Sequence, residues 1–249
     1  MNPKRNLLQL FLAVTKVEKF IKKDQSDIYL LQELKTIENG FPKDRYIAYH
    51  LERAKGGIAM TMTAGSAVVS KDSPPSFDNI HAYKDEVVPW IRKLTETIHD
   101  HDCKIMIQLT HLGRRTSWSK GDWLPSLSSG KHREPAHKAF PKVMESWDIE
   151  RIIKEYGDAA ERMKLGGMDG VELEGQGHLI GQFLSPLTNE LNSEYGGSLE
   201  NRLRFTIDIL SDIRKKVGQD FIVGIRCVFD EVEEGGITKS EGLKIAKIL

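Results

Sequence analysis

Cysteine is scarce in this chain: Cys103 and Cys227 are the two in 249 residues, far apart and without the short spacing of metal ligands. That argues against a disulfide framework and against a cysteine-held iron–sulfur cluster, and it fits a reducing, cytoplasmic compartment. Charge of one sign is not in excess, with 36 Lys plus Arg against 36 Asp plus Glu, so no global field favours nucleic acid or an anionic membrane. The apolar run near the N-terminus, Leu7 to Val14 interrupted by Gln9, is too short to span a bilayer and no convincing secretory cleavage pattern follows it. No GxGxxG or GxxxxGK[ST] loop follows an apolar strand, which weakens dinucleotide-fold and P-loop readings. The neutral balance points to a small-molecule or protein partner.

What is present is alternation of helix and strand. Residues 45–55 place Ile47, His50, Leu51 and Ala54 at helical spacing before the apolar run "IAMTM". "DEVVPWIRKLTETIHDHD" puts Val87, Ile91, Leu94 and Ile98 on one face and leads into "KIMIQL". Asp148 is the expected N-cap of a helix bearing Ile152, Tyr156, Ala159 and Met163, followed by "DGVEL". Ser198 is expected to cap a helix carrying Leu199, Leu203, Ile207, Leu210 and Val217, ended by Gly218 and followed by "DFIVGIR". A further helix opens at "SEGLKIAKIL". This pattern is α/β with a parallel sheet, either a (β/α)8 TIM barrel or an open doubly wound sheet, and the missing dinucleotide loop favours the barrel. Residues 1–40 stay an unassigned leader, with 41–249 as the barrel domain.

In such a barrel the chemistry lies in loops after the C-terminal strand ends. The two long loops, 110–147 and 174–198, follow "KIMIQL" and "DGVEL". Gln108 and His111, Glu174 and His178, and Arg226 should therefore be neighbours, and Gly65 after "IAMTM" would let a flat ligand approach the backbone. Each alone is ordinary; their convergence carries the argument. Trp118 and Trp123 suit a stacking wall or lid. The carboxylates of "VELE" are set aside as a dyad on the expectation that the strand turns them to opposite sides. The charges of "SEYGGSLENRLRF" are expected to form a solvated face. A metal-dependent hydrolase using Glu172, Glu174, His178 and His111 is a third reading, weakened because no ligand spacing repeats; no metal is expected.

Three stretches, "QLTHLGRR", "GQFLSPLTNELNSEYGGSLENRLRF" and "VGIRCVFDE", together resemble the FMN-dependent NADH:flavin oxidoreductase family that includes old yellow enzyme. "GVELEGQGHLIGQF" and "HLGRRTSWSKGDWLP" look most like its N-methylproline (stachydrine-type) demethylase branch. The resemblance implies strands two to five of the family barrel, FMN as cofactor and NAD(P)H or an N-methylated amine as electron donor. It implies Gly65 against the flavin, Gln108 at its pyrimidine edge and Arg226 beside N1 and the C2 carbonyl, where a guanidinium stabilises the charge of reduction. Many relatives have HGAHGY where this chain has "EGQGH". His178 thus falls near the usual proton donor, and at its unperturbed pKa could accept or shuttle a proton in amine oxidation; His111 would shape the substrate pocket.

The resemblance leaves the family's first and last strands unmatched, so the chain reads as truncated. On that reading the phosphate site is missing and open sheet edges favour self-association. The alternative to an active flavoenzyme is a fragment or pseudoenzyme of the family without stable cofactor binding.

Overall fold

The computed structural model describes residues 37–249 except 74–78, 116–123 and 135–139. The run at Leu7 and the pair Trp118 and Trp123 lie outside the described residues. Asn39 and Gly40 take φ angles of 56° and 83°, closing an antiparallel hairpin between β1 (Ile37–Glu38) and β2 (Phe41–Pro42). The Asn-Gly pair is a strong hairpin signal because both turn residues need positive φ. A side chain at Gly40 is excluded a second way, since an added Cβ would lie 2.2 Å from Nδ1 of His81.

After α1 (Asp44–Lys55) comes β3 (Met60–Val68), then the short β4 (Ile80–His81), α2 (Val88–His99) and β5 (Lys104–Thr110). The loop after β5 contains a two-residue parallel pair, β6 (Leu127–Ser128) and β7 (Lys142–Val143). Then follow α3 (Ser146–Leu165), β8 (Gly170–Gly175), α4 (Leu179–Leu184), α5 (Leu199–Val217), β9 (Ile222–Cys227) and α6 (Lys239–Ile248). The main sheet is parallel throughout in the order β4-β3-β5-β8-β9. Its long strands β3, β5, β8 and β9 lie in chain order, each reached through a helix. A doubly wound sheet reverses the order of its main strands at a switch point; the long strands here do not, which is the arrangement of a barrel wall, and the short β4 pairs with β3 on the side away from β5.

One face of that wall is the hydrophobic core. Ile105, Ile107, Leu109, Val171 and Leu173 pack under α2, α3 and α5 in the same cluster as Ile91, Leu94, Ile152, Tyr156 and Ile209. Helices α3 and α5 approach closely at Gly157, where an added Cβ would fall 2.0 Å from Oδ2 of Asp212. Lys216 there pairs with both Asp158 and Asp212 at 2.7 Å.

Three local features refine the reading of the sequence. Helix α3 starts earlier than expected: Glu145 is its N-cap, and Asp148 is the N3 partner of a reciprocal capping box. In α5 the buried face is Leu203, Thr206, Ile209, Ile213 and Val217, while Ile207 is 38% exposed. The third concerns the charges before and within α5. Arg202 is buried, donating from Nε to the Leu184 carbonyl at 2.8 Å, from one terminal nitrogen to the Gly197 carbonyl at 2.6 Å and from the other to Glu241 at 2.5 Å. It is an internal anchor, with its charge compensated by two carbonyls and a carboxylate. Ser198 does cap α5, its hydroxyl accepting from the Asn201 N–H.

Candidate functional site

The face of the sheet opposite the core carries the polar side chains. Along a strand alternate residues share a face, so Gln108 on β5, Glu172 and Glu174 on β8, and Gly224 and Arg226 on β9 all lie on this side. The register sets Gln108 beside Glu172 and Glu172 beside Gly224. Gln108 Nε2 donates to Glu172 Oε1 at 2.5 Å, and Arg226 Nε donates to the same oxygen at 3.1 Å. A carboxamide and a guanidinium are thereby oriented from two strands onto one level. Gln108 is 5% exposed, whereas the Arg226 side chain is half exposed.

Glu172 entered the sequence reading only in the metal-hydrolase alternative and not among the flavin-site residues, and the reason given for setting the "VELE" carboxylates aside is corrected here. Residues two apart on a strand point the same way, so Glu172 and Glu174 share this face. Their proximity registers electrostatically: burial first, and then the Glu172 charge, push the Glu174 carboxyl above its ordinary range, against the Gln176 N–H bond and the Arg226 charge. Applied to the sequence, the same two-residue alternation would have placed Glu172 on the face of Glu174, among the flavin-site candidates. Gly65 lies on β3 within the stretch where the register against β5 shifts between Thr63 and Ala67, a bulge of the kind that re-aims a strand near a site.

His111 and His178 form a second group, after the ends of β5 and β8. His111 is fully buried. The Gly113 N–H donates to its Nδ1 at 3.1 Å, which leaves Nε2 as the donor to Asp72 Oδ1 at 3.0 Å. Asp72 also accepts from Ser70 and from Arg151. Burial alone would raise the Asp72 carboxyl, yet the His111 and Ser70 hydrogen bonds and the Arg151 charge hold it well below the usual range. His111 therefore ties the loop after β3 to the start of the loop after β5, and both ring nitrogens are engaged within the protein.

His178 occupies the N-cap position of α4, whose first amide, Leu179 N–H, donates to the His111 carbonyl at 2.9 Å. Its Nδ1 is buried without a hydrogen-bond partner. Burial, then the charges of Arg115 and His111, lower its pKa to about 4. The expectation of an unperturbed imidazole is corrected: His178 is neutral at pH 7, so its ready function there is to accept a hydrogen bond through Nδ1.

The chain between β8 and α5 is more committed than its polarity suggests. All of α4 except Gly181 is buried. The Asn189 amide donates to the carbonyls of Phe183 and Tyr195, Gln182 bridges Leu112, Gly177 and the Arg114 N–H, and Ser129 donates to the Gln182 carbonyl at 2.6 Å. Side-chain amides and hydroxyls here take the place of regular secondary structure. Among the described residues no three His, Cys, Asp or Glu side chains gather as a metal site, and no helix is long and apolar enough to cross a membrane.

Comparison with known proteins gives a consistent picture. The chain is 65% identical over 212 residues to the probable N-methylproline demethylase of Rhizobium meliloti (strain 1021), covering 85% of this chain and 31% of that protein. It is 44% identical over 209 residues to the multifunctional alkene reductase/demethylase OYE of Caballeronia cordobensis, covering 84% of this chain and 30% of that one. A solved complex of 2-naphthoyl-CoA reductase with 2-naphthoyl-CoA superposes with a TM-score of 0.77 at 31% identity, over 84% of this chain and 34% of that chain. The chain thus spans about a third of the length of these relatives. Structural neighbours of this type are TIM barrels, and the strand order described above is one section of such a barrel. With residues 31–249 matched, the protein belongs to the NADH:flavin oxidoreductase / NADH oxidase family, whose cofactor is FMN and whose electron donors include NAD(P)H.

Proposed function

We propose that the protein works as an FMN-dependent oxidoreductase that takes electrons from an N-methylated amine or from NAD(P)H, with a small organic molecule as substrate. The observation that carries this is the convergence of Gln108 and Arg226 on one level of the open sheet face. The donor set fits a flavin: a carboxamide can meet the mixed donors and acceptors of the pyrimidine edge, and a guanidinium complements charge at N1 and O2. Space is available beside them, because a Cβ added at Gly224 would meet nothing within 4 Å. When bound, FMN supplies the hydride-accepting centre. Glu172 orients Gln108 and Arg226, and Gly65 allows close approach of the ring at β3.

His178, neutral and with Nδ1 unpaired, serves on the substrate side as a hydrogen-bond acceptor. His111, held by Asp72 and the Gly113 amide, positions the loop behind it. Support for the amine as donor comes from the demethylase relatives. A barrel domain over residues 41–249, a cytoplasmic setting and self-association belong to the same proposal; Cys103 and Cys227 are both free thiols, as a reducing compartment requires.

Arg226→Ala tests the assignment. The side chain is half exposed, which puts a charge-assisted contact at the lower end of its range, about 1.5 kcal/mol. FMN affinity, read by quenching of flavin fluorescence on titration, should fall about tenfold. Unchanged affinity, with the wild-type protein binding FMN, refutes the role of Arg226.

A further inference from the structure

The flavin contacts leave one carboxylate on the working face without a task. Glu174 lies one rung beyond Glu172 toward the C-terminal end of β8, in register with Arg226 on β9. Continuing the β5–β8 register beyond Leu109 and Leu173 brings Thr110 alongside it on β5. Glu174 is 9% exposed, yet its compensation differs sharply from that of its neighbour. Glu172 receives a side-chain amide and the guanidinium Nε, whereas Glu174 accepts the backbone N–H of Gln176 at 2.9 Å. Arg226 is the cation that acts on Glu174 electrostatically, and Glu172 opposes it. Among the described residues, two carboxylates on adjacent rungs share one guanidinium, an excess of negative charge beside buried side chains that is costly unless a cation completes it.

A second observation points the same way. Thr110 is fully buried and its hydroxyl has no partner; it shares the face of Gln108 by the two-residue alternation of the strand. A hydroxyl can accept as well as donate, so the rung offers a carboxylate and an unused hydroxyl to an incoming group that is positively charged and carries an N–H. The two rungs thus differ in their partners: the lower carboxylate, Glu172, receives side-chain donors from Gln108 and Arg226 Nε, whereas the upper one, Glu174, receives a backbone N–H alone beside the unpartnered Thr110 hydroxyl.

We propose that Glu174 is the specificity-determining residue of this site, receiving the protonated nitrogen of an alkylated amine and discriminating against neutral molecules of the same shape. The inference rests on the amine reading given under Proposed function. It assigns the choice between a cationic amine and a neutral organic substrate to one side chain, rather than to the flavin contacts that both would share. Neutral His178, set after the same strand, adds no competing positive charge at pH 7.

The test compares two five-membered rings that each carry an N-methyl group: 1-methylpyrrolidine, protonated at pH 7, and 1-methyl-2-pyrrolidone, which is neutral. Each is titrated into the FMN-loaded full chain, wild type and Glu174→Gln, following the flavin absorbance spectrum under anaerobic conditions. Glutamine keeps the size of the side chain and an acceptor for the Gln176 N–H, so unfolding is not the expected result; thermal midpoints of both proteins monitor it. The expected result is that Glu174→Gln weakens the amine by about tenfold or more while leaving the lactam within about twofold. Wild type binding the amine with Glu174→Gln binding it equally well overturns the inference and leaves the amine reading standing. Equal losses for amine and lactam overturn it too, because the residue would then hold shape rather than charge. Wild type binding neither ring overturns the amine reading itself, and this inference with it.

Discussion

Arg202→Met should lower the stability of the protein by about 3 kcal/mol or more, the scale expected when one partner of a buried ion pair is removed. The arginine is 5% exposed and serves three elements at once: the C-terminal carbonyl of α4 at Leu184, the Gly197 carbonyl just before α5, and Glu241 in the first turn of α6. Methionine keeps the apolar stem and removes all three donors. What remains is an unpaired carboxylate and two carbonyls, one of them at the negative end of a helix. Urea denaturation read by tryptophan fluorescence measures the loss, and the double variant Arg202→Met with Glu241→Gln should recover a share of it by discharging the stranded carboxylate. A loss below about 1 kcal/mol would mean that water replaces these contacts and that Arg202 is no anchor. Because α4 starts at His178, a loosened anchor should also alter the environment of that ring.

A second large effect is expected on acidification. Burial first, and then the charge of Arg53, lower His50 to about 3; its Nδ1 faces the Thr61 hydroxyl at 2.8 Å. His178 is lowered to about 4, and His81 is lowered as well, by burial and by Lys84. Each imidazole takes a proton in the unfolded chain near pH 6.5 but not yet in the folded one. For His50 and His178 the stabilisation is therefore complete above pH 6.5 and is lost as the pH falls toward 4, by about 1.4 kcal/mol per pH unit for each of these two rings, and His81 acts in the same direction. Glu174, raised by burial, binds its proton earlier in the folded state and works against this trend, one group against three. Denaturation midpoints between pH 7 and pH 4.5 should fall steeply, and His50→Gln should remove one ring's share of the slope. A flat profile over that interval would show that these rings charge as readily in the fold as in the open chain.

Much of this molecule could be read from periodicity, and the failures have definite physical origins. The strands containing Ile105, Val171 and Val223 announce themselves as short apolar runs because one side packs under helices. The same runs conceal the working face: Gln108 and Glu172 are single polar letters whose meaning depends on which strand lies beside which, and adjacency is a tertiary fact. Glu172 and Glu174 were legible in principle, since a period of two decides their side without any structure. Apolarity alone does not mark the buried side of α5: Ile207 is 38% exposed while the buried stripe passes through Thr206. Arg202 could not be told from its half-buried neighbour Arg204 by residue type, because two of its three partners lie 18 and 39 positions away. The pairs β1–β2 and β6–β7 are two residues per strand, too short for any period to register, although Asn39-Gly40 marked the first.

The chain order of the four long strands has a consequence for how the molecule is made. β5 docks beside β3, β8 beside β5 and β9 beside β8, so every long strand finds its seat on the one synthesised just before it. No strand has to wait for a later one to be inserted between itself and its neighbour. Helices α2, α3 and α5, formed locally, arrive with the strands they cover, and the loops to be closed stay short compared with those of a sheet whose order reverses. Emerging from the ribosome, such a chain can extend its folded region by a single helix and strand at a time, and the interval during which an apolar strand such as Ile105–Leu109 lacks a neighbour is set by the pace of translation.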